Sequence, residues 1–146
     1  MNFFIPCIPP TATSQQKGAC SIKGGGVRFF KKKHVQQAEN SLWALLMPHR
    51  PETPLEGALR LSVCFYYPWR KSEKKAVVRD HHSMPITSRP DCSNLIKLIE
   101  DVMTGLGFWR DDGQISHLEV EKRYTDTPGI YVQIGPCHPT IKNNPK

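Results

Sequence analysis

The sequence predicts an α/β fold of the α+β kind: a single small mixed β-sheet carrying two main helices. Three observations predict it. Leu59, Leu61, Val63, Phe65 and Tyr67 alternate on one face and mark a strand of about nine residues. Two stretches, one from His34 to Met47 and one after Asp91, repeat their apolar residues at helical spacing. Further strand patterns lie on both sides of those helices, so sheet and helices share one core. At 146 residues the chain is one domain by length and long enough to bury that core.

The elements follow in order. Residues 2–8, NFFIPCI, read as a short strand closed by Pro9 and Pro10, and Pro6 confines it to a sheet edge or a strand end. Residues 11–33 are polar and glycine-rich; the triple glycine of KGGGVRFFKKK lacks the G-x-x-x-x-G-K pattern of a phosphate loop and reads as a flexible turn. Val35, Ala38, Leu42, Leu45 and Leu46 give the first helix one buried stripe, and Pro48 stops it. The strand ALRLSVCFYYP comes next.

Residues 68–90 show no period and hold Arg70, Lys71, Lys74, Lys75, Arg79, His81 and His82. A stretch of that length without structure inside a compact domain is functional or disordered. The adjacent histidines read as a solvated loop rather than as metal ligands. After Asp91, Leu95, Leu98, Ile99, Val102, Met103 and Leu106 line one face of a helix over about 94–105, with Gly105 and Gly107 at its C-terminal end. Strands over about 115–124 and 130–134 are separated by the turn DTPG. The domain thus covers residues 1–135, and 136–146, PCHPTIKNNPK, reads as a flexible C-terminal tail.

A formal net charge of +7 and a pI near 9.3 point to polyanionic partners, nucleic acid first. Five scattered cysteines without a C-x-x-C pair argue against a disulfide scaffold and against structural zinc, and suit the reduced cytoplasm. The N-terminus has no basic region ahead of its apolar residues, so a signal peptide is not expected. No apolar run is long enough for a membrane span, so no membrane partner is expected.

The stretch RPDCSNLIKLIEDVMTGLGFWRDDGQI, residues 89–115, places carboxylates at both ends of the second helix. A helix over about 94–105 climbs roughly 18 Å, and the chain from Gly105 to Asp112 spans at most about 23–25 Å. Asp112 can therefore return towards Asp91. Converging carboxylates in a basic protein would be neutralised by a hard divalent cation such as Mg²⁺. Such a cation activates water and stabilises charge on a phosphodiester. Lys97, on a polar side of the helix, could meet the phosphate as a point charge. The same residues also read as scaffolding. Asp91 or Ser93 suits a helix N-cap, Asp111–Asp112–Gly113 suits a turn, and Lys97 with Asp101 suits an i, i+4 ion pair. Pattern alone leaves both readings open.

The stretch resembles the signature region of the RusA family of Holliday junction resolvases. Pro90, Asp91, Asn94, Leu95 and Lys97 match its Pro-Asp-x-Asp-Asn-Leu-x-Lys helix start, and Asp111, Asp112, Gln114 and Ile115 match its Asp-Asp-x-Gln turn. The resemblance implies a RusA-like fold in an intertwined homodimer and a crossover junction endodeoxyribonuclease, with Mg²⁺ as cofactor and no small-molecule cofactor. Branched DNA, as four-way junctions, would be the substrate. By position, Asp91, Lys97 and Asp112 would be catalytic. Asp91, Asp112 and Asp111 would bind metal, with Ser93, Asn94 and Asp111 in support. Lys31, Lys32, Lys33, Arg70, Lys71, Lys74, Lys75 and Arg79 would meet DNA. One departure stands out: Ser93 occupies the position of the family's second aspartate. A hydroxyl is a weaker, neutral ligand, and the alternative implied is a catalytically impaired module that binds junctions without cutting them.

Overall fold

The structure, a computed structural model, describes residues 1–13 and 16–139. Along these the chain runs β1 (Asn2–Pro6), β2 (Lys17–Ser21), β3 (Val27–Lys31), α1 (Lys33–Leu46), β4 (Leu59–Pro68), α2 (Lys75–Asp80), β5 (Ser83–Pro85), α3 (Cys92–Leu106), β6 (Ile115–Thr125) and β7 (Gly129–Pro136). Five strands form a mixed sheet in the order β1-β7-β4-β6-β5, and β2 pairs with β3 in a separate hairpin. The expected α+β class, one mixed sheet with two main helices, is what the chain adopts.

Alternation explains the layers. Leu59, Leu61, Val63 and Phe65 of β4 turn one way and join Ile130, Val132 and Ile134 of β7 and Ile5 of β1 in a fully buried face. Leu42 and Leu46 of α1 and the apolar stripe of α3 close over that face. The stripe is wider than its spacing predicts, because Ile96 is buried too. β4 runs parallel to β6, and such a pair needs a long crossover. α2, β5 and α3 supply it, and the Pro90 carbonyl at the entry to α3 is held by Lys122 of β6. Pro6 ends β1 at the sheet edge, where a missing N–H costs no ladder bond.

Three readings need correction. The triple glycine is a turn, with Gly24, Gly25 and Gly26 all at positive φ, but residues 17–31 around it are not irregular: the turn joins β2 and β3 into a hairpin. A bond from Ile22 N–H to the Gly26 carbonyl closes it. Residues 68–90 do contain regular structure, the six-residue α2 and the three-residue β5. These were hidden because elements so short complete barely one period. The second helix starts earlier and ends later than 94–105, at Cys92 and Leu106, with Gly107 at φ 80° as its left-handed cap. At the C-terminus Pro136 still belongs to β7 and Cys137 N–H bonds to the Ala58 carbonyl, 2.8 Å; residues 140–146 of the expected tail lie outside the described residues. No helix among the described residues is long and apolar enough to cross a membrane.

Candidate active site

Asp91 occupies the N-cap position of α3, and its carbonyl accepts from the N–H groups of Asn94 and Leu95. Its carboxylate makes no capping hydrogen bond. The capping position is thus Asp91's, as one of the two readings of the sequence has it, but its carboxylate is not spent on a capping bond. Asp91 and Asn94 instead border an open cleft of about 400 Å³ with Thr11, Thr13, Gln16 and Arg89. Ser93 is not the cap; it is exposed, one residue inside the helix.

The turn that follows α3 does return to it, and at Lys97. The Lys97 ammonium donates to Asp112 Oδ2 at 2.8 Å and lies 3.2 Å from Asp101 Oδ1, all three side chains being about half exposed. Hydrogen bonds from the ammonium to Asp112 and Asp101 hold its pKa above the usual lysine range. The same ammonium holds the Asp112 carboxyl below its ordinary value. Glu100, one position before Asp101, is half-buried, and burial raises its pKa. The spacing exposed the Lys97–Asp101 pair in advance; the contribution of Glu100 depends on burial, which spacing does not report.

The turn that carries Asp112 is built firmly. Asp111 Oδ1 accepts from Gly113 N–H at 2.7 Å, and Gln114 Oε1 accepts from the N–H groups of Arg110 and Asp111 at 2.9 and 3.2 Å, a reciprocal capping box. Gln114 Nε2 then donates to the carbonyls of Leu55 and Gly57. Just ahead, buried Trp109 donates its indole N–H to Thr104 Oγ1 of α3, 2.7 Å. Asp111 thus has a structural duty, whereas the Asp112 carboxylate faces Lys97.

On the other flank, Lys122 of β6 donates to the carbonyls of Ser88 and Pro90, fixing the segment that leads into Asp91. Nothing in the sequence marks Lys122, since its role arises only where β6 passes that segment. Arg70 donates to Ser88 Oγ and to the Tyr124 hydroxyl and stacks over the Tyr124 ring. Arg79 pairs with Asp80 and Lys31 with Glu39. No ion pair among the described residues engages Lys32, Lys33, Lys71, Lys74 or Lys75. Among the described residues no three His, Cys, Asp or Glu side chains gather in a group able to hold a metal ion.

In this basic α+β domain Lys97 stands between two half-exposed carboxylates, on the helix whose N-cap residue, Asp91, borders the cleft. Comparison with known proteins gives the class, a hydrolase of the nuclease kind. Residues 8–135 match the family model described as endodeoxyribonuclease RusA. The chain is 34% identical over 124 residues to the crossover junction endodeoxyribonuclease rusA of Lactococcus phage r1t, covering 84% of this chain and 87% of that protein. It is 29% identical over 129 residues to the protein YqaN of Bacillus subtilis strain 168, covering 86% and 89%. The chain belongs to the RusA family of endodeoxyribonucleases.

Proposed function

We propose that residues 1–135 form a Mg²⁺-dependent endodeoxyribonuclease domain that resolves four-way (Holliday) DNA junctions in recombination and repair. The observation that carries this reading is the Lys97–Asp112 pair, set one turn into the helix that Asp91 heads. The donor chemistry suits Mg²⁺. Asp91 and Asp112 offer exposed hard oxygens, and Mg²⁺ takes one or two carboxylates and completes its shell with waters and substrate phosphate. No nest of three carboxylates is needed. Asp91 and Asp112 would hold the ion, with Asp111 steadying the turn and Ser93 and Asn94 lending polar atoms beside it. When bound, the ion supplies an activated water and neutralises charge on the phosphate.

The remaining work falls to the chain itself. Lys97 stays protonated, so it acts as a charge and hydrogen-bond donor to the scissile phosphate or the leaving oxygen, never as a base. Asp101 and Asp112 aim its ammonium. The free cations of 32–33 and 71–75 bind flanking phosphates. A four-way junction needs two symmetrically related cuts, which a homodimer with one site per copy provides.

The test is a labelled four-way junction incubated with the protein and Mg²⁺. Wild type is expected to nick paired strands, and Asp112→Asn to lose cutting by at least about a hundredfold, comparable to removing one electrostatic contact to a transition state, while binding is kept. Unchanged cleavage by Asp112→Asn would overturn the assignment. The exposed hydroxyl at Ser93 favours one second reading, a module that binds junctions without cutting. Tight binding without cleavage by wild type, restored by Ser93→Asp, would select it.

A further inference from the structure

Residues 17–31 form a ribbon that no other strand among the described residues joins. Every residue of β3 is exposed, and so is β2 apart from half-buried Gly18. A two-stranded hairpin with neither face covered is marginal in water. Its apolar side chains are nonetheless bare: Phe29 is 68% exposed and Val27 58%. Residues directly opposite in an antiparallel pair share a face, so Phe29 stands beside Ala19 and next to the Val27–Ser21 pair. Phe30 is on the other face, with its ring over Gly18.

Charge decides what covers this ribbon. From Lys17 to Lys33 the chain carries six Lys and Arg residues and no Asp or Glu. A second copy would bring another six cations against the first. A polyanion brings the complement, and nucleic-acid bases offer flat faces that stack on an exposed aromatic ring. The root of the ribbon is at the candidate site. Gln16, immediately ahead of β2, borders the cleft with Asp91 and Asn94 and is hydrogen-bonded to His34 of α1 at 2.8 Å. Lys31 at the far strand's end is tied to Glu39 of the same helix at 2.8 Å. The arm therefore leaves the protein from the edge of the cleft, anchored at both strands.

We propose that the β2–β3 hairpin is a DNA-binding arm, in which Lys and Arg side chains grip phosphates and Phe29 stacks on a base left unstacked at a branch point. The inference rests on the junction-directed reading above and adds a source of branch selectivity to it: a paired duplex presents no free base face, whereas a strand-exchange point does.

The full chain is tested in EDTA by fluorescence anisotropy. The probes are a labelled four-way junction carrying 2-aminopurine at its centre, and a linear duplex of one arm's sequence. Phe29→Ala is expected to weaken junction binding about tenfold, the loss of one base stack, to leave duplex binding within about twofold, and to abolish the 2-aminopurine response. Phe29→Leu, which keeps apolar bulk without a ring, is expected to behave like Phe29→Ala. Lys23→Ser with Arg28→Ser should weaken both DNAs and lower the salt slope by about two. The arm is overturned if Phe29→Ala binds the junction like wild type, if Phe29→Leu restores binding, or if Phe29→Ala only changes the protein's mass in solution. Wild type that shows no preference for the junction would overturn the junction reading itself, and the arm with it.

Discussion

An ammonium 2.8 Å from one carboxylate and 3.2 Å from another stays protonated far into alkali and drags the Asp112 carboxyl downwards. The signs follow from linkage. With its folded pKa depressed, Asp112 contributes stability that is present above its unfolded value and is lost as pH falls through the folded value. With its folded pKa raised, Lys97 contributes below its unfolded value and loses it only as pH rises through the folded one. Both partners are half exposed, so solvent screens the pair and its worth lies in orientation rather than stability. Lys97→Met is expected to move the Asp112 titration midpoint upwards, because the ammonium that depresses it is gone, read by carboxyl-carbon NMR. A midpoint that stays at the wild-type position would mean that the pair does not form in solution. The change should leave urea stability within about 1 kcal/mol.

At the scale of elements, Gly105 of α3 leaves room for the Trp43 ring of α1. A Cβ there would fall 2.7 Å from the Trp43 ring. Alanine gains roughly 1 kcal/mol in helix propensity, but displacing a packed ring costs about 1–3 kcal/mol, so Gly105→Ala should lower the melting temperature. Adding Trp43→Leu should return part of the loss, and a higher melting temperature for Gly105→Ala alone would show that the helices have slack. The same elements show what the sequence discloses. α3 was legible because six apolar positions recur over three turns, and β4 because burial of one face enforces alternation. The hairpin was not legible: with both faces exposed, nothing compels alternation, and the glycines conceal its strands. In the site, reach alone permitted Asp112 to come back to the helix, without fixing where. Which side chain Asp112 would meet, and that Lys122 would hold the approach to Asp91, depended on how β6 lies against α3.

For the molecule as a whole, the surplus of seven positive charges is uneven. Among the described residues, Lys32, Lys33, Lys71, Lys74 and Lys75 and the hairpin's Lys17, Lys23 and Arg28 make no ion pair, while Asp101 and Asp112 flank Lys97. Binding to any DNA should therefore weaken steeply with salt. If about three phosphates are neutralised, affinity for a linear duplex falls roughly fortyfold between 50 and 200 mM salt. A flat response would mean that these cations do not meet phosphates.

The strand order has a consequence in time. β1 has β7 as its sole sheet neighbour, and β7 is also one of the two strands that flank β4. During synthesis β1 waits for a partner made about 130 residues later, some 6–25 s at ordinary elongation rates. Until then Val63 and Phe65 have an open flank and the floor beneath α3 is incomplete. A nascent chain thus carries Asp91, Lys97 and Asp112 before β7 completes the sheet that supports α3.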